Sequence, residues 1–130
     1  MKRFLALLLC LMFCLCLLGC QQDTAREKDD DRDTDDYLRI RITTDSMEPM
    51  FAPGDTVYYR EVDPHRLEVG DIILYWTVIN GERIQHTSRI IAIYDAGNFL
   101  VFETKDDNRP EPNPLTVHEN EILGKYVRIR

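Results

Sequence analysis

Between residues 71 and 94 the chain carries two runs rich in β-branched and aromatic side chains, joined by Asn80-Gly81. Both linking residues tolerate positive φ, which a two-residue hairpin turn demands, so the pair commits its flanks to two antiparallel strands. The sequence after position 36 follows the same grammar. Leu38-Arg39-Ile40-Arg41-Ile42 alternates apolar and polar, the period of a half-buried strand. Residues 56–62 read as a second strand, 71–78 and 83–94 as the hairpin pair, 99–104 as the next and 122–129 as the last. Asp95-Ala96-Gly97-Asn98 reads as a turn and 106–116 as a proline-rich loop. At most one helical turn is expected, near 117–121. Tyr58, Tyr59, Tyr75 and Trp76 are read as packing residues of adjacent strands rather than a binding platform. Turns recurring every eight to twelve residues or so predict an all-β fold of antiparallel strands, either folded sheets or a partly open barrel.

The first twenty residues obey a different rule. Lys2 and Arg3 precede an apolar run over 4–18, followed by Gly19 and Cys20, the layout of an export signal. The run is shorter than the roughly 20 residues that span a bilayer comfortably, which favours a processed signal over a permanent anchor helix. Leu17-Leu18-Gly19-Cys20 looks like a bacterial lipobox, in which Cys20 is the acylated residue. The alternative is an uncleaved anchor helix in which Cys20 is incidental. Both readings place the remainder outside the cytoplasm, anchored to a membrane of the bacterial cell envelope.

Cys10, Cys14, Cys16 and Cys20 all lie in that stretch, so the remainder can form neither a disulfide nor a thiolate metal site. His65, His86 and His118 show no ligand spacing, and no metal or cofactor is expected. Residues 21–36 hold eight acids against three bases and no large apolar side chain. Such a segment cannot bury enough surface to offset its ordering entropy and reads as a disordered linker. It lacks the glycine turn and terminal glutamate of a calcium loop. The expected organisation is therefore a signal or anchor over 1–20, an acidic linker over 21–36 and one β domain over 37–130. The whole chain carries a net charge of −7, and no basic patch shows along the sequence, so nucleic acid is not expected as a partner.

Ser46-Met47-Glu48-Pro49 follows directly on the first strand, and Pro53-Gly54-Asp55 comes just after it. Farther on stand Leu67-Glu68-Val69-Gly70-Asp71-Ile72-Ile73, Arg89-Ile90-Ile91, Thr104-Lys105-Asp106-Asp107-Asn108 and Ile122-Leu123-Gly124-Lys125. Taken in this order, the five segments resemble the boxes of the signal peptidase I family, in the broad sense that includes archaeal, spore-former and endoplasmic-reticulum enzymes. The resemblance covers most of 43–127 and implies the β fold of that family. It further implies a serine endopeptidase that cleaves exported polypeptides at a membrane surface without a cofactor. Ser46 would be the nucleophile, its backbone amide the oxyanion donor, and Asp107 the acid that orients the base. Met50 and Phe51 are expected to be exposed near that site.

One position departs from the pattern. The family's base is a lysine or histidine immediately before the arginine of the third box, and here that residue is Ser88. His86, two residues earlier on the same strand, should share its face and is the substitute base. Two residues along a strand amount to about 6.6 Å, whereas a base must come within about 3.2 Å of the hydroxyl or act through a water. A bulge at Thr87 would close the gap. The rival expectation is an inactive signal-peptidase-like lipoprotein that binds peptides or a partner.

Overall fold

The computed structural model describes residues 36–130. The expected export signal or anchor, Cys20 and the expected linker up to residue 35 lie outside the described residues. Seven strands run in chain order as β1 (Tyr37–Arg41), β2 (Thr56–Arg60), β3 (Ile72–Ile79), β4 (Glu82–Asp95), β5 (Leu100–Lys105), β6 (Val117–His118) and β7 (Ile122–Ile129). They form one open antiparallel sheet in the order β1-β2-β7-β3-β4-β5-β6. The all-β reading holds, and the described residues include only short 3-10 turns, at Pro64–Arg66 and Glu119–Glu121, as helical elements of three or more residues.

The hairpin forms where the sequence places it. Asn80 and Gly81 adopt φ values of 52° and 82°, and β3 pairs with β4 in unbroken register from Ile72↔Arg89 to Ile79↔Glu82. The strand β3 is buried on both faces, because alternate side chains enter different cores. Ile72 and Leu74 join Ile42, Met47, Phe51, Val57 and Tyr59, whereas Ile73 and Tyr75 join Leu67, Ile90, Leu100, Phe102 and Val117. Met47 and Phe51, on the turn after β1, are among the most deeply buried side chains. Phe51 is thus not exposed as expected: its ring fills the first core and meets Tyr126 at 5.2 Å.

The sheet is folded over, as two cross-sheet contacts require. Strand neighbours lie about 4.8 Å apart, so β2 and β4, three steps apart in the order, would stand about 14 Å apart if the sheet were flat. Yet the Tyr59 hydroxyl reaches Thr87 Oγ1 at 2.7 Å. Likewise the turn after β1 bonds to the loop after β5, five steps away, through Asn108 N to Ser46 O at 2.9 Å. Bulges between Tyr58 and Tyr59, between Leu74 and Tyr75, and between Ile90 and Ala92 supply the local bending. No bulge falls at Thr87, where the register of β3 and β4 is continuous.

Candidate functional site

The Ser46 turn is built from its own backbone and locked from two sides. Ile42 and Asp55 bond at its base, Gly54 N donates to Ile42 O, and Phe51 N donates to Met47 O at 3.0 Å. The Asp55 carboxylate accepts from Ala52 N at 2.8 Å, closing the returning loop. Met47 and Phe51 pin the turn to the first core from below. From the other side, Asn108 donates its amide N–H to Ser46 O and its side-chain Nδ2 to Asp45 O, while Arg109 pairs with Asp45. The segment after β5 therefore holds the serine turn in place. Ser46 is nearly buried, and its hydroxyl shares a 3.2 Å hydrogen bond with Thr44 Oγ1.

A second cluster lies on the β3–β4–β5 part of the sheet, and its centre is Asp106. Along β5 the side chains of Leu100, Phe102 and Thr104 turn inward, and Asp106 continues that two-residue period just past the strand. Oδ1 of Asp106 accepts from Ser88 Oγ at 2.5 Å and from Asn113 Nδ2 at 3.1 Å. The Nε2 of His86 lies 3.0 and 3.2 Å from the two carboxylate oxygens. Tyr75 OH lies 3.1 Å from Ser88 Oγ and 3.3 Å from Thr104 Oγ1, and its ring meets the imidazole edge-on at 5.8 Å. Asn113, fixed by its backbone N–H to Thr104 O, aims its amide into the same group.

The electrostatics follow from these contacts. Burial by itself pushes the Asp106 carboxyl up. The hydrogen bonds from His86 and Ser88, the imidazole's charge and the Asn113 amide outweigh burial and leave Asp106 below the usual carboxylate range. Burial also pushes the Tyr75 phenol up, so that hydroxyl stays neutral, and it accepts from Asn113 Nδ2 at 3.3 Å. A cavity of about 350 Å³ opens over the cluster, with Val78, Ile79, Pro114 and Leu115 among its walls and His86 and Asp106 among its lining.

The structure brings some of the expected site residues together and separates others. His86 meets an acid, but that acid is Asp106. Asp107, expected to orient the base, instead grips Arg89 in a fork of two bonds, at 2.9 and 2.7 Å, and Arg89 also donates to Gly70 O. The reason is parity: with Asp106 turned inward beside Thr104, its neighbour must point the other way. Ser88, at the base position, is fully buried. Among the described residues neither His86 nor Ser88 bonds to the Ser46 hydroxyl. His65 and His118 lie in separate elements, and among the described residues no cluster of three His, Cys, Asp or Glu is placed to hold a metal ion. The sequence reading passed over Asp106 and Asn113 as site residues and took Tyr75 for a packing residue, which it also is. The signal for Asp106 was present in the period of 100, 102 and 104.

The serine turn is thus docked at the end of a folded antiparallel sheet and stapled to the loop after β5. Comparison with known proteins finds a distant likeness. Signal peptidase I W of Bacillus subtilis (strain 168) is 29% identical to this chain over 92 residues, which is 70% of this chain and 47% of that protein. The chain thus spans about half the length of the curated relative it matches. No family model matches the sequence. At this level the relationship is a distant, signal peptidase I-like one, consistent with a membrane-associated, extracytoplasmic protein.

Proposed function

We propose that this chain is a signal-peptidase-like protein of an extracytoplasmic membrane surface that binds extended stretches of exported polypeptide and holds them without efficient cleavage. The observation that carries this reading is the setting of residue 88. A serine hydroxyl attacks a peptide bond only when a base takes its proton. The position at which the related enzymes keep that base is here a buried hydroxyl, itself donating to Asp106 at 2.5 Å. The nearby imidazole of His86 pairs with the same carboxylate. What remains is a folded sheet with open edges, along which an extended peptide can add as a strand, and an apolar-walled cavity for one of its side chains. Anchoring through an acylated Cys20, or through an uncleaved helix, completes the proposal.

One experiment tests it. The full chain in detergent is exposed to a fluorophosphonate probe, and binding of a fluorescent signal-sequence peptide is measured in parallel. The proposal expects no label at Ser46 and saturable peptide binding that survives Ser46→Ala. Absence of peptide binding overturns it.

Rapid labelling at Ser46 that disappears in His86→Ala would instead establish a second reading, that of a serine endopeptidase. Two contacts favour that alternative: the His86–Asp106 pair and the bond from Asn108 to the serine turn. In it Ser46 is the nucleophile, its amide the oxyanion donor and His86 the base, with Asp106 rather than Asp107 orienting the ring. His86 must then come within about 3.2 Å of the hydroxyl as substrate binds.

A further inference from the structure

The β1–β2–β7 part of the sheet carries a surface that the serine turn and the Asp106 cluster do not use. Tyr37, Arg39 and Arg41 alternate along β1, and their partners across the ladder are Arg60, Tyr58 and Thr56. Tyr58 pairs onward with Arg128 of β7, and Arg130 exchanges both backbone bonds with Thr56. Cross-strand partners project from the same face. Arg39, Arg41, Arg60, Arg128 and Arg130 are thereby gathered onto one side of three adjacent strands, and all five are exposed.

Ring contacts confirm the register. The Arg60 guanidinium lies 4.7 Å from the centre of the Tyr37 ring, and that of Arg128 lies 5.7 Å from Tyr37 and 5.1 Å from Tyr58. The two tyrosines meet edge-on at 6.4 Å. Residues of the opposite parity, Ile40, Val57 and Tyr59, pack into the first core, so the arginines occupy the outer face. Asp36 and Glu61 stand at its rim, beside Tyr37 and Arg60.

We infer that this outer face docks on the phosphate headgroups of an anionic lipid bilayer. Guanidinium forks match phosphate oxygens two at a time. Arg39 and Arg41 on β1 and Arg128 on β7, set apart across the face, fit a plane of many phosphates better than a single soluble anion. Tyr37, half-buried at the edge of the face, has the apolar ring and polar tip favoured at the level of lipid headgroups, while Tyr58 is buried beneath the guanidiniums. The charge is complementary to such a surface even though the chain as a whole is net negative, at −7. The export-signal layout read in residues 1–20 would direct the domain away from nucleic acid, the other polyphosphate such a face would suit. The inference stands apart from the question of cleavage at Ser46.

Arginine modification tests it on the full chain. The protein is reconstituted in nanodiscs of phosphatidylcholine, with or without phosphatidylglycerol. Phenylglyoxal modification of Arg39, Arg41 and Arg128 is followed by peptide mass spectrometry, with exposed Arg109, paired to Asp45 elsewhere, as the control. The expected result is roughly fivefold or greater slowing at the three arginines in the anionic discs, none at Arg109, and recovery in high salt. Equal rates in the two discs overturn the inference; if both are slow, the face is covered by protein rather than lipid. Equal slowing by inorganic phosphate in neutral discs overturns it as well, by making this a soluble-anion site.

Discussion

Replacing Asp106 should separate its roles as acceptor and as charge. In Asp106→Ala the hydroxyl of Ser88, the amide of Asn113 and the imidazole Nε2 all lose their common acceptor. A buried donor left without a partner costs about 1–3 kcal/mol. Ser88 is sealed from solvent, whereas His86 and Asn113 lie near the cavity and can recruit water, so the expected total is about 3–4 kcal/mol. Asp106→Asn keeps one oxygen for Ser88 and loses the charge-assisted contact to His86, for about 1–2 kcal/mol. The pH dependence carries the sharper test. Because the folded state holds the Asp106 carboxyl below its ordinary value of 3.8, its stabilisation is present above that pH and is lost as pH falls through the folded value. The gap between wild type and Asp106→Asn should therefore be widest near neutrality and narrow in acid. Urea unfolding in mild detergent, read through Trp76 as the sole tryptophan, measures it. An Asn variant as stable as wild type at pH 7, or a gap that stays constant into acid, would refute the reasoning.

Three further outcomes follow from other contacts. Gly124→Ala should lose about 1–3 kcal/mol in the same unfolding assay, because a Cβ there would stand 2.8 Å from the backbone oxygen of Arg60 and 3.2 Å from Tyr59 Cβ. Burial pushes the Tyr59 phenol up to about 12, against the opposing hydrogen bond with Thr87 and with a smaller push from Tyr126. Since the unfolded phenol ionises near 10, this residue should cost stability by about 1.4 kcal/mol per pH unit between those values. Tyr59→Phe should flatten that alkaline limb. Arg89→Lys should lose the two-pronged grip on Asp107 and cost about 1 kcal/mol, with the larger part recovered if charge alone were the contribution; equal stability of the variant would show that the fork adds nothing.

The sequence was most legible where a local rule had no competitor. Asn80-Gly81 turns the chain because few other pairs adopt positive φ at both positions, and β7 spans the expected 122–129. The second strand is shorter than the expected 56–62, ending at Arg60, since the Asp63 side chain and Pro64 open a 3-10 turn that periodicity does not announce. The Val117 region mixes a two-residue strand with a 3-10 turn, because His118 caps one while pairing in the other. Phe51 was misplaced for a different reason. An apolar side chain in a turn is buried or exposed according to what folds over it, and what folds over it here is a distant part of the same sheet.

The aspartate that meets His86 and the arginine face were both left unread for the same reason. Asp106 and Asp107 are equal as residue types, and only strand parity, carried on from Leu100, Phe102 and Thr104, decides which of them meets His86. The arginines are scattered over 39–130, and in sequence they alternate with apolar residues or stand alone. Antiparallel pairing brings Arg39 opposite Tyr58 and Tyr58 opposite Arg128, which turns a period of two on three separate strands into one basic surface. Net charge averages over a molecule, whereas a bilayer or a peptide meets a single face of it. A sheet sorts side chains by parity and register, so the charge that a partner encounters is set by pairing as much as by composition. The same sorting buries the Ser88 hydroxyl beneath Asp106 and sends Asp107 away to Arg89. Which aspartate meets the imidazole and which the guanidinium is decided five steps across the sheet from the Ser46 turn, by the side of β5 from which each one leaves.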